Sequence, residues 1–168
     1  FIEELRIMEE RAIEMLKSKD PLTAILSTPI GEVYHEFGHK RSLVIQANDS
    51  ITKAISFFKS HKVTSMLVAY KDRLVGLLTD RDIVLNVVLS NMDWDTTSVS
   101  QIMRPSFDLI SETNTVGDAI NVLALSRGRN IPIKLGSGDY GLVTTRQILW
   151  FIHRRLHEAR HTETSSNS

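Results

Sequence analysis

Apolar and polar positions follow two rhythms along this chain, one typical of helices and one typical of buried strands. Residues 1–18 carry apolar side chains at helical spacing, with glutamates mostly on the other faces, which predicts an amphipathic N-terminal helix. Residues 74–84 begin as an apolar run of strand length and continue with apolar positions at helical spacing. Thr79 or Asp80 stands between the two and can cap the helix. This stretch is predicted to be a strand-to-helix corner.

The corner carries a hydroxyl and a carboxylate, Thr79 and Asp82, three residues apart. The carboxylate can accept two hydrogen bonds and the hydroxyl can donate or accept one, so together they suit a ribose diol. The alternative is an ordinary helix cap with a solvated aspartate. The stretch taken alone leaves both interpretations open.

The corner occurs twice. GLLTDRDIV at residues 76–84 is repeated as GLVTTRQIL at residues 141–149, a shift of 65 positions, and no gap is needed from Val44 to Val84. An internal repeat sets the architecture of a chain, and two copies are too few for a solenoid. The prediction is two similar units packed face to face with pseudo-two-fold symmetry.

Each unit reads as strand, helix, strand, strand and helix, so the fold class is α/β (α+β). In the first copy the predicted elements are strands 43–46, 65–70 and 74–79 with helices 50–60 and 80–89. A short helical turn at residues 29–34 has an echo at 98–103, ahead of the second copy. The predicted division is an N-terminal helix and linker over 1–27, the copies over 28–92 and 93–157, and a disordered polar tail over 158–168.

Composition narrows the class of protein. The 168 residues have a formal net charge of zero, which gives no reason to expect a nucleic-acid partner. No cysteine is present, which excludes disulfides and thiolate metal sites and fits a reducing, cytoplasmic compartment. The apolar runs are too short for a membrane span. The first residue is Phe1, which leaves open that the chain is a piece of a longer protein.

The duplicated unit, with Gly-h-h-Thr-x-x-Asp-h-h at its corner (h for apolar), resembles the CBS domain, named for cystathionine β-synthase. Tandem pairs of this domain are called Bateman modules. The resemblance covers roughly residues 28–157. It implies a regulatory, non-enzymatic module that binds AMP, ADP, ATP, NAD or S-adenosylmethionine between the copies without requiring a metal. It also implies a homodimer, with residues 83–89 and 149–152 as candidate interface, and a fused or associated effector.

The resemblance also implies which residues bind the ligand. Thr79 and Asp82 would hold the ribose, and Arg129, with Arg127 nearby, would reach the phosphates. Adenine would lie among apolar positions of the two copies, which are Ile45, Met66, Leu67, Ile110, Ile131 and Pro132. Thr144 is the second-copy counterpart of Thr79, but Gln147 replaces the aspartate, and an amide lacks the charge-assisted contact. The first site is therefore expected to be functional and the second degenerate or empty.

Two further hypotheses come from other classes of protein. One is a ligand-free dimerisation or docking scaffold. The other is a zinc metallopeptidase, because His35-Glu36-Phe37-Gly38-His39 matches H-E-x-x-H. Gly38 weakens a helix there and the segment precedes a strand, which favours a loop or cleft-facing role. His153, His157 and His161 share one face of the last helix; a metal site completed by another chain or a solvated cationic end would each fit.

Overall fold

The computed structural model describes residues 1–17, 20–40, 43–126 and 128–167. Within these ranges, three helices precede the first sheet: α1 over Ile2–Lys17, α2 over Pro21–Leu26 and α3 over Ile30–Phe37. Helix α1 is the predicted N-terminal helix, whereas α2 was expected to be linker. Asp20 caps α2 by accepting a hydrogen bond from the Leu22 amide at 3.2 Å, and Pro21 opens the helix. The Asp-Pro pair therefore starts a helix here as well as separating it from the preceding one.

Two three-stranded sheets carry the duplicated units. The first contains β1 (Val44–Gln46), β2 (Ser65–Tyr70) and β3 (Arg73–Thr79), and the second contains β4 (Ile110–Ser111), β5 (Asn130–Lys134) and β6 (Tyr140–Thr144). In each, the first two strands pair in parallel and the last two are antiparallel. Helices α4 (Ile51–His61) and α6 (Val116–Leu125) make the crossovers between the parallel strands. The predicted order of elements within the two copies is confirmed.

Both strand-to-helix corners close with the same backbone bond. The Asp80 amide donates to the Thr64 carbonyl at 3.1 Å, and the Thr145 amide donates to the Arg129 carbonyl at 2.9 Å. After the first corner, however, α5 covers only Asp80–Ile83 and continues as a π-helical segment over Val84–Val88. Four of the six residues from 83 to 88 are β-branched, a side-chain type that crowds an α-helix.

The helix after the second corner, α7, spans Thr145–Ser166. Residues 158–166, which were expected to belong to a disordered tail, are part of this helix in the structure. Within these turns the hydroxyls of Thr162, Ser165 and Ser166 also donate to carbonyls four residues earlier, at 2.9, 3.0 and 3.0 Å. Arg154 and Glu158 add an ion pair four residues apart.

Each copy completes its core with the segment that leads into the first strand of the other copy. The first core contains Val99 and Ile102 from the turn before β4. The second core contains Ile30 and Val33 from α3, which precedes β1. Backbone bonds fix both exchanges, with the Ile30 amide donating to the Asn114 carbonyl at 2.6 Å and the Val99 amide donating to the Asp49 carbonyl at 2.8 Å. The sequence copies and the packed cores therefore have different boundaries.

The two sheets face one another through the sides that are not covered by helices. Along β2, Met66 lies in the first core, so the alternate positions Ser65 and Leu67 point to the opposite face. Asn130 donates from Nδ2 to the Ser65 Oγ at 2.8 Å. These two residues are 65 positions apart and occupy the same place in each copy, which confirms the predicted face-to-face packing. Among the described residues, none of the helices combines the length and apolarity that a membrane span needs.

Candidate functional site

Thr79 and Asp82 form a reciprocal cap at the first corner. The Thr79 Oγ1 accepts from the Asp82 amide at 3.1 Å, and the Thr79 amide donates to Asp82 Oδ2 at 3.0 Å. Asp82 is only 5 % exposed, because α5 packs it against the segment that leads into β4. The structure thus contains the helix cap that was one of the two interpretations of the corner. This cap occupies one oxygen of the Asp82 carboxylate.

The second oxygen of Asp82 is bound by Arg104. The Arg104 Nε donates to Asp82 Oδ1 at 2.9 Å, and its side chain is 51 % exposed, so its cation reaches solvent beyond the pair. Arg104 is held there by a two-way backbone pairing with Leu77 of β3, at 2.8 and 2.9 Å. A ribose hydroxyl that binds Oδ1 would have to take the place of this guanidinium.

The second corner has the same cap and a different partner. The Thr144 amide donates to Gln147 Oε1 at 3.0 Å, and Thr144 Oγ1 accepts from the Gln147 amide at 3.2 Å. The Gln147 Nε2 donates to the backbone carbonyl of Phe37 at 3.0 Å. A carbonyl needs a donor where Arg104 needs an acceptor, so amide and carboxylate are each matched to the segment that they contact.

Among the residues that the structure describes, two clefts adjoin the first corner and share Arg104, Pro105 and Ser106. One, of about 540 Å³, is lined by both copies, with Leu77 of the first and Asn130 and Pro132 of the second. The other, of about 670 Å³, lies beside Asp82 and is bordered mainly by polar and methionine side chains, which include Asn86, Ser90, Met92, Gln101 and Met103. The Asp82–Arg104 pair therefore stands where the two clefts meet.

The predicted adenine-binding positions divide between the cleft and the cores. Pro132 lines the cleft between the copies, and Leu67 is fully buried on the sheet face that carries Ser65. The side chains of the other residues lie in or against the helix-packed cores, and these are Ile45, Met66, Ile110 and Ile131. Along each strand, only alternate residues can face the other copy, which separates Leu67 from Met66 and Pro132 from Ile131.

The predicted phosphate-binding residues sit at the second corner. Arg129 is exposed, and its carbonyl accepts from the amide and the hydroxyl of Thr145. Arg127 lies outside the described residues. The structure brings a different cation, Arg104, to the motif carboxylate. Sequence reasoning missed it because the only signal was opposite charge, across 22 positions and an exchanged segment.

Tyr34 packs across the second corner's strand. A Cβ on Gly141 would come within 2.6 Å of the Tyr34 ring, so the glycine leaves the space that the ring occupies. The phenol donates to the His39 carbonyl at 3.3 Å. Burial raises the pKa of Tyr34, and the nearby Asp139 carboxylate raises the pKa further. The phenol is thus neutral and serves as a packing and hydrogen-bonding group.

The H-E-x-x-H segment does not have the geometry of a zinc peptidase. His35 and Glu36 belong to α3, which ends at Phe37 with Gly38 as its cap, and His39 lies beyond the helix. Glu36 pairs with Arg154 and Arg155 of α7. Within the described ranges, no three His, Cys, Asp or Glu side chains are grouped to hold a metal ion. This segment was expected to have a loop or cleft-facing role. In the structure, its Glu36 links α3 to α7.

Comparisons with known proteins agree with this geometry. A family model for the CBS domain matches residues 36–88. The CBS domain-containing protein YhcV of Bacillus subtilis is 32 % identical over 99 residues, which cover 59 % of this chain and 70 % of that protein. A crystal structure of a CBS domain is 24 % identical with a TM-score of 0.65 and covers 73 % of this chain and 95 % of its own. The crystal structure of Hypoxic Response Protein I, with two coordinated zinc ions, is 22 % identical with a TM-score of 0.61, over 73 % and 97 %.

Fold and corner motifs together define a class of protein: two strand-helix-strand-strand-helix units joined through their open sheet faces, each ended by a capped corner. The chain belongs to the CBS-domain family and carries a tandem pair of these domains. Members of this family act as regulatory modules, which supports a regulatory role for this chain.

Proposed function

We propose that this CBS pair binds an adenine nucleotide of the AMP, ADP or ATP type and transmits its presence to a fused or associated effector. One observation carries the proposal. A cleft of about 540 Å³ between the copies includes Arg104, a cation that contacts the motif carboxylate Asp82. The volume lies in the range of small-molecule sites, which is roughly 300–1,000 Å³.

Arg104 gives this site a mechanism for recognising a phosphorylated nucleoside. A guanidinium binds phosphate oxygens with two parallel hydrogen bonds, and the half-exposed side chain of Arg104 can turn toward such an anion. Its departure from Asp82 Oδ1 leaves an acceptor for a ribose hydroxyl beside the Thr79 cap. Phosphate and ribose are then recognised by the two halves of one former ion pair.

The same exchange of partners couples binding to conformation. Arg104 lies in the segment that leads from the 3₁₀ turn (Val99–Gln101) into β4, so its position affects how the second copy is attached to the first. A ligand shifts a conformational population only by its difference in affinity for the two states. Releasing Arg104 from Asp82 is the difference that we propose for this module.

The test is a calorimetric titration of AMP, ADP, ATP, NAD and S-adenosylmethionine into the wild-type protein, Asp82→Asn and Arg104→Met. Losing one charge-assisted hydrogen bond costs about 1.5–3 kcal/mol, so we expect roughly ten- to a hundredfold weaker binding of the preferred nucleotide in each variant. Asp118→Asn is the matched control. Asp118 occupies the same place in a threonine-capped helix and makes the same two bonds with Thr115, at 2.9 and 3.0 Å, outside both clefts.

The outcomes distinguish loss of the nucleotide-binding site from loss of the folded structure. Affinity that falls in Asp82→Asn and Arg104→Met and stays unchanged in Asp118→Asn supports the proposal. Equal affinity in all four proteins would move the site away from the first corner. Circular dichroism of each variant establishes that the comparison is made between folded proteins. Absence of heat with every nucleotide would contradict nucleotide binding.

The second candidate function is a ligand-free dimerisation or docking scaffold. The observation that favours it is that both oxygens of Asp82 already have partners within the chain. We propose a homodimer under either function, and a cytoplasmic location, because a chain without cysteine suits a reducing compartment. The proposal assigns no catalytic residue and requires no metal for nucleotide binding. An unchanged melting temperature across the five nucleotides would favour the scaffold.

A further inference from the structure

Two imidazoles meet at the far end of α7, away from both clefts. The Nε2 atoms of His157 and His161 are 3.0 Å apart, and their ring centroids are separated by 4.3 Å. The residues are four positions apart on one helix, which places them one above the other on the same face. Both are exposed to solvent. The two Nε2 atoms share a hydrogen bond in this contact, and a metal ion that replaced its proton would be held by both rings.

This contact has the dimensions of a metal chelate. Nitrogens bound to zinc at 2.0–2.1 Å, with an angle of about 90–110° at the ion, lie about 2.9–3.4 Å apart. The separation of 3.0 Å falls within this range, so little side-chain movement would be needed. Neutral imidazole suits zinc, nickel and copper, whereas magnesium and calcium prefer oxygen ligands.

We propose that His157 and His161 bind one divalent transition-metal ion of the zinc type. The remaining coordination positions are open to water or to ligands from another molecule, because the described parts of the chain contain no group of three candidate ligands. The site is separate from the nucleotide cleft, since neither histidine lines it. It does not depend on the proposed function.

Metal binding would act on the polar last turns of α7. Residues 162–166 are rich in hydroxyl side chains that bond to helix carbonyls, and they make up the solvent-exposed end of the helix. An ion that joins residues i and i+4 fixes one helical turn, and its binding free energy is gained only when that turn is formed. Occupancy of the site would therefore slow the opening of this end of the helix.

Calorimetric titration with zinc chloride tests the site directly. Two ligands on one helix act together, so removing either leaves a single imidazole and we expect about a hundredfold weaker zinc binding. His157→Ala and His161→Ala should each show this loss. His153→Ala is the matched control, because His153 is exposed on the same helix row and is not part of the 3.0 Å pair. Magnesium chloride should give no heat at these residues.

A second measurement follows the helix itself. Amide hydrogen exchange at residues 158–166 should slow with zinc in the wild-type protein and in His153→Ala, and should not change in His157→Ala. Zinc affinity that is equal in the wild type and His157→Ala would overturn the site. Equal weakening by His153→Ala and His157→Ala would also overturn it, because the two-residue geometry would then not be what binds the ion.

Discussion

Asp82 and Gln147 occupy the same position in the two copies and have opposite partners. Asp82 accepts from a guanidinium, and Gln147 donates to a carbonyl. A family comparison alone presents Gln147 as a lost ribose ligand. In this chain the amide is also the group that the Phe37 carbonyl requires, so the difference between the copies has a structural cause. Restoring an acidic residue there would not recover a second nucleotide site without a structural cost.

The first prediction follows from that pairing. Gln147→Glu keeps the length of the side chain and the cap on Thr144, but sets a carboxylate oxygen against the Phe37 carbonyl oxygen. Leaving a part-buried carbonyl without its donor costs about 1–3 kcal/mol, so we expect a loss of that size in the free energy of unfolding. Urea denaturation measures it.

Gln101→Glu is the control for this substitution. Gln101 is also the third residue of a capped helical turn and accepts from the Ser98 amide at 2.8 Å, on an exposed surface. We expect its stability to change by less than about 0.5 kcal/mol. A Gln147→Glu variant as stable as Gln101→Glu would show that the bond to Phe37 contributes nothing.

The local sequence predicts the helix cap at each corner but not the residues from other segments that contact it. The Thr79–Asp82 cap follows from two residue types three positions apart, and the structure contains it. Arg104 could not be predicted, because its approach depends on an exchanged segment and on its pairing with Leu77. Whether Met66 or Leu67 faces the cleft depends on strand phase, which periodicity leaves undecided because residues 66–69 are all apolar.

At the scale of elements, the segment that follows the 3₁₀ turn crosses β3 at Gly76. A Cβ on Gly76 would lie 2.7 Å from the Met103 Sδ and 2.8 Å from the Arg104 carbonyl oxygen. The carbonyl belongs to the backbone that pairs with β3, so it can retreat only by breaking that pairing. The glycine therefore allows the segment to lie directly on the sheet.

The second prediction tests this close approach. Gly76→Ala should lower the free energy of unfolding by about 1–3 kcal/mol through overpacking. Gly128→Ala, on the rim of the cleft between the copies, is the control, because the nearest atom to its Cβ would be 3.8 Å away. Thermal unfolding monitored by circular dichroism compares them. Equal melting temperatures for the two variants would contradict the argument.

Helices and strands could be predicted where the periodicity of apolar residues was strong. The strands and crossover helices of both copies follow from periodicity. Helix α2 was missed because its residues were assigned to the linker, although Asp20-Pro21 is a pair that can cap and open a helix. The last turns of α7 were missed because a polar composition favours a disordered tail and does not show how far a helix that begins at Thr145 continues.

At the scale of the whole molecule, the two helices that follow the corners leave large apolar side chains exposed. These are Val84, Leu85, Val88 and Leu89 after the first corner, and Leu149 and Trp150 after the second. Exposed apolar surface of this kind marks an interaction site. The positions fall within the segments predicted as a homodimer interface, so we propose that a second copy covers them.

The third prediction concerns this interface. Leu89 is 75 % exposed, and Leu89→Glu should weaken self-association, because burying a leucine contributes about 1.5–3 kcal/mol and burying a charge is unfavourable. Leu125→Glu is the control, since Leu125 on α6 is 91 % exposed and lies outside the proposed face. Sedimentation equilibrium should show the wild type and Leu125→Glu as dimers and Leu89→Glu as mainly monomer. Identical masses for all three would exclude this face as the interface.

The exchange of leading segments has a consequence for how such a molecule can arise. A polypeptide holding one copy and its leading segment could not complete its own core, because that segment packs on the other copy. Two such polypeptides would complete one another by trading the segments. Joining them end to end turns an obligate association into an intramolecular one and frees each half to vary. The aspartate at one corner and the glutamine at the other are a divergence that such a fusion permits, because each half is then encoded separately.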